Sequence, residues 1–149
     1  MKITLITVGK IKEKYLRDAI GEYSKRLSKY CKLEIIEVND ESNGNILEKE
    51  KNHIIRYIND HDYVVTLEID GNMIDSVELS KKIDQTLINF SNITFVIGGS
   101  YGLSDEIKKR SNYKLSFSKM TFPHQLFRVL LLEQIYRSFK IINNESYHK

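Results

Sequence analysis

Three short segments of this 149-residue chain carry residue types that could do chemistry. Gly98-Gly99-Ser100-Tyr101-Gly102 follows the apolar run Ile93-Thr94-Phe95-Val96-Ile97, and glycines there let backbone N–H and C=O groups approach a crowded ligand closely. Ser116-Phe117-Ser118-Lys119-Met120-Thr121-Phe122 mixes hydroxyls with apolar surface just before Pro123. The chain ends in Tyr147-His148-Lys149. Histidine titrates near neutral pH, which suits general-base work, but by position alone a terminus reads as a frayed end. The familiar nucleotide motifs are missing: there is neither a G-x-G-x-x-G nor a G-x-x-x-x-G-K-[ST]. His53, His61, His124 and His148 show no H-x-x-x-H or H-E-x-x-H spacing, and Cys31 is the one cysteine, so no metal site is expected.

Positioning such segments requires strand ends. Lys2–Val8, Leu33–Val38, Tyr63–Ile69, Ile93–Ile97 and Tyr113–Phe117 read as strands, with Asp70-Gly71 as the turn signal that ends the third. Between them run amphipathic segments: one through Tyr15, Leu16, Ala19, Ile20, Tyr23 and Leu27, a weaker one from Ile46 to about Ile58, and one capped by Ser76. A short helix follows Ser104, and Pro123 opens a last, strongly apolar helix, where its missing N–H costs nothing in the first turn. Strands alternating with helices predict an α/β domain over 1–149, built on a mostly parallel sheet with helices on both faces. Ligands of such sheets bind outside the carboxyl ends of the strands. The three ends to compare are Leu67–Gly71, Gly98–Gly102 and Ser116–Phe122.

Composition supports a globular reading: 41% hydrophobic, 29% charged, one Pro. The longest apolar run, Val129-Leu130-Leu131-Leu132, is far too short for a bilayer, and the N-terminus does not read as a signal peptide. A cytoplasmic protein with no membrane partner is expected. The net charge of +3 conceals two basic ends, with nine Lys/Arg against three Asp/Glu in residues 1–32 and nine against four in 101–149. Residues 33–100 carry five against thirteen. Either the ends form one face for a polyanion or they are a solvated surface. In the last helix Leu126, Phe127, Leu130, Leu131, Ile135 and Phe139 spread around more than one face, which points to a partner subunit.

The order of these features resembles the ribosomal large-subunit methyltransferase H family, within the SPOUT class. The resemblance rests on Met1–Lys10, Thr66-Leu67-Glu68, Phe95–Gly102, Arg110–Tyr113, Ser116–Gln125, Arg128, Glu133–Arg137 and Tyr147-His148-Lys149. Only around Glu41–Lys51 does the chain look shorter than the family pattern. The resemblance implies a C-terminal trefoil knot and a homodimer with active sites at the subunit interface. It implies S-adenosyl-L-methionine as methyl donor, held at Leu67, at Gly98 and along Phe117, Ser118, Lys119, Met120, Thr121 and Phe122. The implied reaction is methylation of N3 of a pseudouridine in 23S rRNA of the assembled ribosome. His148 would assist deprotonation or orient the base, Tyr147 would stack on it or bond to it, and no metal would be needed. Leu67, Leu115, Met120 and Phe122 could wall the adenine, and Lys10, Lys12, Lys14, Arg17, Arg128, Arg137 and Lys149 could meet phosphates. The rival readings are a SPOUT enzyme acting on another RNA such as tRNA, and a non-catalytic ribosome-binding or assembly factor on the same fold.

Overall fold

The computed structural model describes residues 1–149. In chain order the elements are β1 (Lys2–Val8), α1 (Lys14–Leu27), β2 (Lys32–Val38), α2 (Ile46–Ile55), β3 (Tyr63–Met73), α3 (Ser76–Asn89), β4 (Asn92–Ile97), α4 (Asp105–Arg110), β5 (Tyr113–Ser116) and α5 (His124–Ile142). The strands form one sheet in the order β2-β1-β4-β3-β5, and every neighbouring pair is parallel.

Successive residues of a strand face opposite sides of a sheet, so a strand buried on both faces sorts its side chains between two cores. Ile3 and Leu5 of β1, Val65 of β3 and Ile93, Phe95 and Ile97 of β4 share the larger cluster with Leu27, Leu79, Ile83 and the α5 residues Leu131, Leu132, Ile135 and Phe139. Ile6, Val8, Val64 and Val96 point the other way, to Ile54 of α2 and Ile107 of α4. Thus α1, α3 and α5 cover one face, and α2 and α4 the other. No helix is long and apolar enough to cross a membrane.

Two local expectations are corrected. The cap of α3 is Asp75, not Ser76: its carboxylate accepts from Glu78 N–H at 2.8 Å while Glu78 reaches back to Asp75 N–H, a reciprocal capping box. Ser76 instead donates to Gln134 of α5 at 2.7 Å. Asp70-Gly71 does not end β3. Leu67 and Asn72 both pair with Leu115, so residues 68–71 bulge out of the ladder and the strand resumes to Met73. Gly71 permits this, because a Cβ there would stand 2.9 Å from the Lys114 backbone.

Candidate functional site

At the carboxyl end of the sheet, the β3 bulge, the turn after β4 and the segment after β5 enclose a cavity of about 430 Å³. That falls within the usual range of small-molecule sites. Each wall has a local cause. Ser116 Oγ lies 2.9 Å from Ile69 O and 3.2 Å from Ser118 O, tying the bulge to the exit of β5. Ser118 Oγ then accepts from Met120 N–H at 3.0 Å, which bends the chain back over the opening. Phe127 of α5 meets Phe117 edge-on at 4.8 Å and stacks on Phe122 at 5.7 Å, forming an aromatic floor.

The glycine turn supplies the third wall. Gly102 N–H donates to Gly99 O at 3.0 Å, and Gly102 has φ +78°. A Cβ on Gly98 would collide with the Gly102 carbonyl, so the turn closes this tightly only because Gly98 has no side chain. Gly99 and Gly102 face each other as an isolated antiparallel bridge, whereas the Ser100 N–H donates to no other backbone group.

Of the residues expected at the donor site, Leu67, Gly98, Phe117, Ser118, Met120, Thr121 and Phe122 line this cavity, as does Leu115. Lys119 sits in the same segment but is exposed and outside the lining. The cavity also takes in Glu68 and Asp70 of the Leu67–Gly71 strand end, and Lys108 and His124, which sequence reasoning did not place there. Glu68 is held by Thr66 Oγ1, which donates to its carboxylate at 2.6 Å. Two carboxylates against one ammonium favour a ligand that carries positive charge. The signal for Glu68 was present in Thr66-Leu67-Glu68; Asp70 reaches the cavity through the bulge, which no local pattern announced.

Tyr147 and His148 do not line the cavity of their own subunit. The tail is nevertheless anchored. Tyr147 packs edge-on against Tyr136 at 5.0 Å, its hydroxyl donates to Glu133 at 3.2 Å, and the Arg137 guanidinium lies over its ring. Burial first, then the Glu133 carboxylate, pushes the Tyr147 phenol up to about 12. Arg137 pairs with Glu133 and brings its Nη1 within 3.1 Å of His148 Nδ1. Arginine only donates, so in this contact Nδ1 accepts and the ring proton sits on Nε2.

The expected phosphate contacts divide. Lys10, Lys12, Lys14 and Arg17 are exposed. Arg128 is not available: it is 2% exposed and donates to Glu37 at 2.8 Å and to the Val8 and Gly9 carbonyls at 2.8 and 2.9 Å. Arg137 is likewise taken up by Glu133 and the tail.

A family model described as "Predicted SPOUT methyltransferase" matches residues 1–148. The chain is 58% identical over 159 aligned positions to a ribosomal RNA large subunit methyltransferase H of Clostridium botulinum (strain Alaska E43 / Type E3), covering all of both chains. It is 57% identical to the protein of that name from Clostridium kluyveri (strain ATCC 8527), again over the whole of both. A solved structure described as "a probable methylase family protein from Haemophilus influenzae Rd KW20" superposes with TM-score 0.58 at 15% identity, over 99% of this chain and 70% of that one. A tRNA (m1G37) methyltransferase from Aquifex aeolicus gives 0.53 at 12% identity, over 92% and 70%. These two share the fold alone, whereas the full-length matches fix the family: the chain belongs to the ribosomal RNA large subunit methyltransferase H family of SPOUT methyltransferases.

Proposed function

We propose that this protein transfers a methyl group from S-adenosyl-L-methionine to N3 of a pseudouridine in 23S rRNA, acting in the cytoplasm on the assembled ribosome as a knotted homodimer. The observation that carries the reading is the cavity. It joins three strand-end segments, has the size of a nucleoside-sized ligand, and combines an apolar floor with backbone donors and two carboxylates. Relatives 57–58% identical over their whole length are named as methyltransferases of large-subunit ribosomal RNA.

The residues present fit the donor. Leu67, Leu115, Met120 and Phe122 offer apolar surface for adenine, and the exposed loop backbone offers hydrogen bonds to its edge. Each such bond left unmade in a closed slot would cost roughly 1–3 kcal/mol. Gly98 and Gly99 leave room for a folded amino-acid moiety, and Glu68 and Asp70 balance a cationic centre. S-adenosyl-L-methionine, when bound, supplies an electrophilic methyl group on a sulfonium.

The target N3 is an imide that keeps its proton at neutral pH, so a group must hold or remove that proton as the new N–C bond forms. Within one subunit the cavity has no such group from the tail. A dimer supplies one if the terminus of one subunit reaches the cavity of the other. The exposed apolar residues Ile69, Met73, Val77, Met120 and Leu126 support that arrangement. They cluster in sequence at the bulge, the end of β3, the start of α3, the post-β5 segment and the start of α5. Tyr147, held by Glu133, then borders the base, and His148 orients it, or takes the N3 proton on Nδ1 once that nitrogen leaves Arg137. Incubating the protein and methyl-labelled donor with 70S ribosomes, free 50S subunits and stripped RNA, followed by nucleoside mass mapping, tests the reading. A labelled N3-methylpseudouridine is expected, with ribosomal particles better than stripped RNA. Label in a different nucleoside, or none, overturns it.

A further inference from the structure

Behind the glycine turn, on the side away from the cavity, stands a carboxyl group that the proposed reaction does not use. Glu50 of α2 is 3% exposed, although its neighbours Lys49 and Asn52 are exposed. One carboxylate oxygen, Oε2, accepts from Glu41 N–H at 3.2 Å. The other, Oε1, has no partner. It lies 3.2 Å from where a Cβ on Gly99 would stand, beside Val8 Cγ1 at 3.1 Å, so Glu50 and Val8 together form the back of the turn. A buried acceptor without a donor is costly, and native proteins rarely leave one unmatched. A donor that could match it stands in the same turn: the Ser100 N–H is also unspent.

We infer that Glu50 is a positioning residue for the methyl-donor cavity, its Oε1 receiving a backbone N–H of the Gly99–Ser100 segment when the donor fills the other side of the turn. Turning the Gly99–Ser100 peptide sends the Ser100 N–H backward to the carboxylate and the Gly99 carbonyl forward to the cavity, exchanging its 3.0 Å bond from Gly102 N–H for one from an ammonium or hydroxyl of the ligand. Glycine at 98 and 99 lowers the torsional cost of the rotation. The inference rests on the reading of the cavity as a donor site.

The arrangement has a pH signature. Burial raises the Glu50 carboxyl above its ordinary range against the Glu41 N–H, which lowers it; the charges of Asp40 and Glu41 in the β2–α2 loop raise it further, and His53 of α2 lowers it. Lys49 and His53 both lean on Glu41, and Lys51 pairs with Glu48 and Glu106 of α4, so no free cation faces Glu50 itself. An N–H bond to the ionised carboxylate favours ionisation, so donor binding and proton loss from Glu50 are linked. Affinity rises as pH increases through the Glu50 titration.

The test is calorimetric titration of S-adenosyl-L-methionine into the full-length wild type, Glu50→Gln and Glu50→Ala between pH 5 and 7, with amide exchange of Gly99 and Ser100 followed by NMR. Wild type should bind more tightly as pH rises. Glu50→Ala should bind about tenfold more weakly at pH 7. Glu50→Gln keeps an oxygen acceptor and should recover most of the affinity while losing the pH slope that depends on Glu50. Every other group is intact in both variants, so any slope they share with the wild type is subtracted. Donor should slow exchange at Gly99 or Ser100 in wild type and not in Glu50→Ala. Equal affinities and equal slopes in wild type and Glu50→Gln would overturn the role of Glu50 alone. Absence of any donor binding by wild type would overturn the cavity reading beneath it.

Discussion

The guanidinium of Arg128, in the last helix, donates to the main-chain carbonyl of Val8, the last residue of the first strand, at 2.8 Å. The same group reaches Gly9 O and the Glu37 carboxylate, so one buried cation fastens α5 across the ends of β1 and β2. Removing a partner from a buried pair leaves carbonyls and a carboxylate without their donor, which costs roughly 3–5 kcal/mol in dry settings. Glu37 keeps part of its surface in water, so Arg128→Ala should fall near the low end, about 3 kcal/mol. The shift of the urea unfolding midpoint at constant slope measures it. A shift under about 1 kcal/mol would show that water replaces the guanidinium.

Arg128 also marks where sequence reasoning stops. Strands and helices were legible because each carries its own periodicity, and the cavity segments were legible because loops at the carboxyl ends of parallel strands converge. A lone arginine among apolar neighbours gives no local sign of whether it meets a phosphate or two carbonyls some 120 residues earlier; only the docking of α5 decides that. The Asp70-Gly71 pair misled for a similar reason. Its turn signal is local, whereas the resumption of β3 depends on Leu115 accepting two partners across the sheet. Glu50 carries no local sign either: only the packing of α2 sets its carboxylate beside Gly99.

Gly98→Ala tests the closeness of the turn. The added methyl meets the Gly102 carbonyl, a backbone atom that cannot swing aside, so the turn must open. Donor affinity should fall at least about tenfold, equivalent to about 1.4 kcal/mol. Gly102→Ala makes a useful contrast: no atom of the chain would crowd its Cβ, but φ +78° strains it. Titration calorimetry should rank Gly98→Ala as the more damaging for binding.

Stability should decline on the alkaline side in two stages. Burial pushes the Cys31 thiol up to about 11 and, with Glu133, the Tyr147 phenol up to about 12. In both cases the folded protein holds its proton after the unfolded chain has released it. The stabilisation is therefore complete below the unfolded values, near 9 and 10, and is lost as pH rises toward the folded ones. Urea midpoints at pH 8, 10 and 11.5 should fall steadily for the wild type. Cys31→Ala should flatten the earlier decline and Tyr147→Phe the later; identical slopes in all three proteins would contradict the assignment.

The basic segment at the start of the chain should make ribosome binding sensitive to salt. Lys10, Lys12, Lys14 and Arg17 are exposed, although Lys14 shares its charge with Asp18 at 2.7 Å and Arg17 leans on Lys12 O at 3.0 Å. Each phosphate contact contributes roughly 0.7–0.9 to the slope of log affinity against log salt. Replacing Lys10 and Lys12 by Ala should lower that slope by about 1.5 without changing donor affinity. A slope that stays put would assign these lysines to solvent.

The separation of His148 from its own cavity makes the dimer itself testable. If the tail of one subunit serves the other, Gly98→Ala spoils the cavity of its own protomer, and His148→Ala spoils the site across the interface. His148→Ala alone should then depress turnover far more than donor affinity, because in that arrangement the residue would meet the base and not the donor. Each variant alone has two defective sites. A mixed dimer restores one, built from the intact cavity of the His148→Ala protomer and the intact tail of the Gly98→Ala protomer. Random reassortment of equal amounts makes half the dimers mixed, so about a quarter of wild-type activity should return after unfolding and joint refolding. Cavity and tail acting within one subunit would give no recovery above the sum of the separate variants. Sedimentation must show dimers in the same sample, since a monomer with recovered activity would contradict the shared site as surely as a dimer without it.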